Sequence, residues 1–125
     1  MKTFIILVIA VVLVVSVIFL WHHSNPPTDA QISHDITGVW QEGPFKMNLN
    51  ANGGFFSRGL DSKGGTSEYS GTWVVSDRFL AMTLTNVSGS HPDGRVGDIQ
   101  RVRIVSADKH HMSVLDGEHT NIFSR

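Results

Sequence analysis

The sequence predicts an all-β protein, an antiparallel up-and-down barrel of eight short strands that follows one N-terminal transmembrane helix. Three observations lead to this prediction: an apolar run at the start of the chain, turn signals about every eight to twelve residues after residue 36, and apolar residues that alternate between those turns. Alternation with a period of two is typical of antiparallel strands that bury one face. A chain of 125 residues has room for one such domain.

The apolar run covers residues 4–21, FIILVIAVVLVVSVIFLW, and Ser16 is its only polar member. As a helix it would be about 27 Å long, close to the thickness of the hydrocarbon core of a bilayer. A cleaved signal peptide is the alternative, but its apolar stretch is shorter, roughly 7 to 15 residues, and it ends in small residues that are absent here. We therefore expect residues 1–21 to form an uncleaved signal-anchor.

The charges beside this run set its expected orientation. Lys2 and the N-terminal amino group are the positive charges at its start, and positive charges favour the cytoplasmic side. The prediction is a single-pass protein of the inner membrane, with residues 22–125 facing the periplasm or the exterior. The chain has no cysteine, which excludes disulfides and lipidated cysteines. It has no basic stripe either, so we expect no nucleic acid partner.

The rest of the chain divides into a linker and a folded domain. Residues 22–35, HHSNPPTDAQISHD, carry two prolines and no apolar period, and we predict a linker there. The barrel domain is expected over residues 36–125. Turn signals rich in Gly, Asn, Asp and Ser separate its predicted strands, which cover residues 36–42, 44–50, 54–60, 66–76, 78–87, 96–106, 110–115 and 118–124.

Two segments of the domain share a Gly-x-Trp pattern, ITGVW at residues 36–40 and SGTW at residues 70–73. Each precedes a turn and a strand with three alternating apolar residues, which are Phe45, Met47 and Leu49 in one copy and Leu80, Met82 and Leu84 in the other. Glycine makes room where strands bend or a large ring comes close, and tryptophan buries a large apolar area. We predict two equivalent hairpins, whose Gly-x-Trp residues form the floor and core of the barrel: Gly38, Trp40, Gly71 and Trp73.

The segments ITGVW and SGTW and the closing NIFSR resemble those of small bacterial lipocalin-like domains, which are exported or attached to membranes. In lipocalins the Gly-x-Trp of the first strand closes the barrel floor, and an arginine near the end of the chain lies across the tryptophan. The resemblance, which covers residues 36–125, implies these roles for Gly38, Trp40 and Arg125. It also implies a cavity for a small apolar ligand, whereas short strands favour an interior filled by side chains.

The histidines and aspartates of the sequence do not form the pattern of a metal site or of a catalytic site. His110 and His111 would point to opposite faces of a strand, so only one could join His119, and a zinc site needs three or four ligands. The aspartates lie mostly in turns, where their side chains bond the backbone. No Gly-x-Ser-x-Gly, His-Glu-x-x-His or phosphate-binding glycine loop is present. We predict no metal, no cofactor and no enzymatic activity.

The function predicted from the sequence is a membrane-anchored binding domain for a small apolar ligand or an envelope protein. Two alternatives stay open: an inhibitor or immunity-type barrel that blocks an exported enzyme through the loop SGSHPDGR, and a structural subunit of a membrane complex. The candidate partner surface comprises Arg101 and Arg103, on the outer face of IQRVRIV, with His91 and Asp93 in the loop. A cavity of several hundred cubic ångströms, on the order of 300 or more, would favour a ligand carrier over a plug.

Overall fold

The computed structural model describes residues 9, 11–17 and 26–125. Residues 11–17 are helical and exposed. Over the described ranges, no helix is both long enough and apolar enough to span a membrane. Because most of the predicted signal-anchor lies outside the described residues, it stays a prediction.

Eight antiparallel strands form a closed barrel in which each strand pairs with the next along the chain and the last pairs with the first. The strands are β1 (Gly38–Glu42), β2 (Phe45–Leu49), β3 (Gly54–Leu60), β4 (Thr66–Ser76), β5 (Phe79–Gly89), β6 (Ile99–Ala107), β7 (His111–Asp116) and β8 (His119–Ser124). The predicted eight-stranded up-and-down barrel is confirmed. The largest difference in a boundary is at β6, which begins at Ile99 because the preceding loop is longer than predicted.

A short helix, α1 (Asp29–Ile36), covers the second half of the segment predicted as a linker and the first residue predicted for the barrel domain. Thr28 caps its N-terminus: its hydroxyl accepts from the Gln31 N–H at 3.2 Å, and the Gln31 side chain accepts from the Thr28 N–H at 2.9 Å. Ile32 and Ile36 are four residues apart on one face of the helix, and both are buried in the barrel core. The folded part therefore begins before residue 36, and the linker prediction missed a helix whose apolar face consists of only two isoleucines.

The helix covers one end of the barrel, which we call the closed end. It packs against β4 and β6, next to the β4–β5 turn. The carboxylate of Asp29 accepts from the backbone N–H groups of Asp77 and Arg78 in that turn, at 2.9 and 3.1 Å. Both turn residues have positive φ angles, 53° and 66°. These bonds fix the start of the helix on the barrel. We call the opposite end the open end; the β1–β2, β3–β4, β5–β6 and β7–β8 connections lie there.

The two Gly-x-Trp segments form hairpins with the same pairing. In both hairpins the glycine pairs with a leucine and the tryptophan with a methionine: Gly38 with Leu49 and Trp40 with Met47 in β1–β2, and Gly71 with Leu84 and Trp73 with Met82 in β4–β5. The equivalence predicted from the sequence therefore holds residue by residue. The second hairpin differs by a bulge between Ser70 and Gly71.

One hydrophobic core joins the strands and the helix, and the alternating residues supply most of it. Of the six alternating residues predicted on β2 and β5, Phe45 is partly buried and the other five are buried: Met47, Leu49, Leu80, Met82 and Leu84. Val102 and Ile104 of β6 are buried too, and the arginines between them face outwards. At the closed end Ile36 and Trp40 are fully buried.

Candidate functional site

The open end of the barrel contains a cavity of about 530 Å³. Its wall is mostly apolar and includes Phe45, Met47, Phe55, Met82 and Leu84. Ser57, Asp93, Asp98 and Gln100 add polar groups. Sites for small molecules usually enclose roughly 300 to 1,000 Å³ and combine an apolar wall with a few polar groups, so the volume and the lining fit a small-molecule site.

The cavity exists because the inward side chains of β3 become smaller towards the open end. The inward positions are Phe55, then Ser57, then Gly59. In addition, β4 and β5 have 11 residues each and extend the wall beyond the filled core. The expectation of a filled interior therefore holds only for the closed half of the barrel.

The β5–β6 loop folds back over this cavity and forms part of its wall. The Gly97 N–H donates to the Leu84 carbonyl at 2.7 Å, and the Leu84 N–H donates to the Asp98 carbonyl at 2.9 Å. The Asp93 N–H donates to the hydroxyl of Tyr69 at 2.8 Å. These bonds place Asp93 and Asp98, both exposed, in the cavity wall, and the carboxylate of Asp98 accepts from the Arg95 N–H at 2.9 Å.

Arg125 lies across the closed end of the barrel. Its guanidinium carbon is 4.1 Å from the centroid of the Trp40 ring. Nη1 donates to the Thr37 carbonyl at 2.8 Å, Nη2 to the Asp35 carbonyl at 3.0 Å, and Nε to the Lys109 carbonyl at 2.8 Å. A cation is favourable at the end of a helix, where carbonyl groups are free. Arg125 thus joins the end of β8 to the end of α1 and to the β6–β7 turn.

Three other residues predicted for the barrel floor, Gly38, Trp40 and Trp73, also lie near the closed end. Gly38 has a φ of +130°, and a Cβ atom there would lie 3.0 Å from Nη1 of Arg125. The indole N–H of Trp40 donates to the Ile36 carbonyl at 2.7 Å, and that of Trp73 donates to the Asn50 carbonyl at 2.9 Å. Both rings therefore lie near the closed end.

Gly71 lies in the middle of β4, at the bulge. None of the predicted floor residues is part of the cavity wall. Four of the five residues, Gly38, Trp40, Trp73 and Arg125, lie at or near the closed end, and the sequence reasoning missed the cavity wall, of which Asp93 alone was a candidate. The decreasing size of the inward side chains on β3 is the signal that could have found the wall.

The residues predicted as a partner surface separate into two groups. Arg101 and Arg103 are exposed on the outer face of β6, and the guanidinium carbon of Arg101 lies 4.2 Å from the centroid of the Phe79 ring. His91 and Asp93 are both exposed in the β5–β6 loop, and Asp93 also lines the cavity. The use of these residues by a partner stays a prediction.

The histidines considered as metal ligands are far apart. His111 pairs with Ser124 at the closed end of the β7–β8 hairpin, and His119 pairs with Asp116 at its open end. Over residues 9, 11–17 and 26–125, no group of three or more His, Asp and Glu residues is placed to hold a metal ion.

The β6–β7 turn, which accepts a bond from Arg125, is fixed by an aspartate. The carboxylate of Asp108 accepts from the backbone N–H groups of His110 and His111, at 2.8 and 2.7 Å. These two bonds hold the pKa of Asp108 below its ordinary value. The lowered pKa keeps this carboxylate ionised, and its two bonds to the turn in place, to a lower pH than an ordinary aspartate would allow.

No family model matches the chain, and no curated protein matches its sequence. Among solved structures the chain is similar to a lipocalin-like protein from Bacteroides uniformis ATCC 8492, with 14% sequence identity and a TM-score of 0.56. The match covers 73% of this chain and 98% of that protein. The similarity extends to the fold, so the barrel is lipocalin-like.

Proposed function

We propose that this protein is a non-catalytic carrier that binds a small apolar molecule in the cavity at the open end of its barrel. The single observation that carries the proposal is the cavity itself, about 530 Å³ with a mostly apolar wall. Its size and lining are those of sites for small ligands. A barrel that served only as a scaffold would gain stability from filling this space, because each buried methylene contributes about 0.8 kcal/mol.

The β5–β6 loop supports a carrier over an inhibitor. A loop that blocks an enzyme has to project from its scaffold, and this loop instead bonds back to Leu84 and Tyr69. Inserting it into another protein would break those bonds and open the cavity wall. We therefore prefer the carrier to the inhibitor or the structural subunit.

The proposal includes a location. Residues 1–21 would anchor the protein in the inner membrane, with the barrel on the outer side, as the apolar run and Lys2 favour. The chain enters the barrel through α1 at the closed end, and the cavity lies at the opposite end. The ligand would then enter from the side of the barrel that points away from the anchor.

This location is testable because the natural chain has no cysteine. A single cysteine in place of Val96, which is exposed in the β5–β6 loop, should react with a membrane-impermeant maleimide in intact spheroplasts. A cysteine in place of Thr3, which keeps Lys2, is the matched control and should react only after lysis. Protection of residue 96 until lysis would contradict the proposed orientation.

The carrier function is tested by filling the cavity. The probe is N-phenyl-1-naphthylamine, a neutral molecule whose fluorescence rises in apolar surroundings. Ser57 is 5% exposed and faces the cavity, so the ring of Ser57→Phe should occupy the space and raise the Kd of the probe about tenfold or more, equivalent to roughly 1.4 kcal/mol. The measurement is a fluorescence titration of the full chain.

The matched control is Thr72→Phe, which adds the same ring to an exposed position on β4 and should leave the Kd unchanged. Circular dichroism and a cooperative thermal transition establish that each variant folds. Ser57→Leu adds less volume and replaces the phenylalanine variant if that does not fold. Equal binding by the wild type and a folded cavity-filled variant would refute the proposed site.

A further inference from the structure

We infer that the cavity takes amphiphilic molecules with a positively charged head group and discriminates against fatty acids and other anionic amphiphiles. The inference rests on the proposed carrier function, and it concerns the chemical class of the ligand. It is drawn from the charges of the cavity wall, the charges around the mouth and one buried hydroxyl group.

The wall of the cavity carries negative charge and no positive charge. Its ionisable carboxylates are those of Asp93 and Asp98, and no Lys, Arg or His of the described chain lines it. A carboxylate head group beside these two exposed residues would lie near two like charges, without a cation in the cavity wall to pair with. Both effects oppose binding. An ammonium group would instead find two carboxylates of opposite charge.

The residues around the entrance of the cavity, at the open end of the barrel, also carry more negative than positive charge. We count the four connections of the open end together with the strand residue on each side of them. They contain six carboxylates and two cationic side chains, which are Glu42, Asp61, Asp93, Asp98, Asp116 and Glu118 against Lys63 and Arg95. A concave site surrounded by one sign of charge concentrates ligands of the opposite sign and speeds their association.

The wall also has a polar side chain deep inside it. Ser57 is nine-tenths buried and lines the cavity. Among the described residues no hydrogen bond from its hydroxyl is present, so the hydroxyl is available to a molecule in the cavity. The hydroxyl can accept a hydrogen bond from an ammonium group, so it is a further site for the head group or for a polar atom of the ligand.

The experiment compares three ligands of equal chain length: decylamine, which is cationic at neutral pH, decanol, which is neutral, and decanoate, which is anionic. Each displaces N-phenyl-1-naphthylamine from the full chain. The signal is the probe fluorescence of the wild type minus that of Ser57→Phe. This subtraction removes the contribution of probe that partitions into lipid or detergent. We expect decylamine to displace the probe at a concentration about tenfold or more below that of decanoate, with decanol between them.

Asp93→Asn/Asp98→Asn keeps the shape of the wall and removes its charges. The concentrations at which decylamine and decanoate displace the probe should then differ by less than about threefold. Glu118→Gln removes one charge from the open end outside the cavity wall and should keep the preference for decylamine. Equal or tighter binding of decanoate by the wild type would overturn the inference and leave the carrier function standing. An unchanged preference in the double variant would also overturn it. If none of the three ligands displaces the probe while the wild type still binds it more tightly than Ser57→Phe, the inference fails and the carrier function stands.

Discussion

Trp40→Ala should lower the free energy of unfolding by roughly 3 to 5 kcal/mol, the range for truncating a large aromatic side chain in a core. Trp40 is fully buried against Met47, and its indole N–H donates to the Ile36 carbonyl. The substitution leaves a void at the closed end, removes the partner of that carbonyl, and takes away the ring beneath Arg125. Three losses at one position make the expected effect large.

The measurement is equilibrium unfolding of the full chain in urea, followed by circular dichroism. Phe56→Ala is the control, because Phe56 lies on the outer face of β3 with 43% of its surface exposed, and its loss should stay below about 1 kcal/mol. A double-mutant cycle with Arg125→Ala should give a coupling of about 0.5 to 2 kcal/mol between the ring and the guanidinium. Similar losses for Trp40→Ala and Phe56→Ala would show that the closed end is not where the stability lies.

The strands of this protein could be predicted because each carries its own signal. The Gly-x-Trp segments and the alternating residues that follow them are local in sequence. Their pairing, Trp40 with Met47 and Trp73 with Met82, follows once each hairpin has its turn. On β2, β5, β6 and β7 the inward face is the apolar face that the alternation marks, so no long-range information was needed to identify it there.

The cavity could not be predicted in the same way, because it depends on residues far apart in sequence. Its wall forms where the small inward residues of β3 face a loop that follows β5, and the loop takes its position from bonds to Leu84 and Tyr69. Strand length alone predicted a filled interior. The helix α1 was not predicted for a related reason. Its apolar face consists of two isoleucines, which are buried only because they pack against the closed end of the barrel.

Gly71→Ala should destabilise the protein by roughly 3 kcal/mol, a large loss for one methyl group. A Cβ atom at this position would overlap the carbonyl oxygen of Thr83 and lie 2.9 Å from its carbon and 3.0 Å from the Thr85 nitrogen. All three atoms belong to the backbone of β5, so no side chain can turn away to make room. The β4–β5 ladder would have to open at the bulge, where Gly71 pairs with Leu84.

The same substitution at Gly59 provides the comparison. A Cβ atom there would lie 3.0 Å from Cδ2 of Phe45, the ring of a side chain that can move, so Gly59→Ala should cost less than about 1 kcal/mol. Because Leu84 lies in the cavity wall and bonds the β5–β6 loop, Gly71→Ala should also weaken binding of N-phenyl-1-naphthylamine in proportion to the displacement of β5. Urea unfolding and the probe titration measure the two effects on one sample. If both glycine variants lost the same stability, close contact between β4 and β5 would not be the reason for glycine at residue 71, and the link between this hairpin and the cavity wall would fall with it.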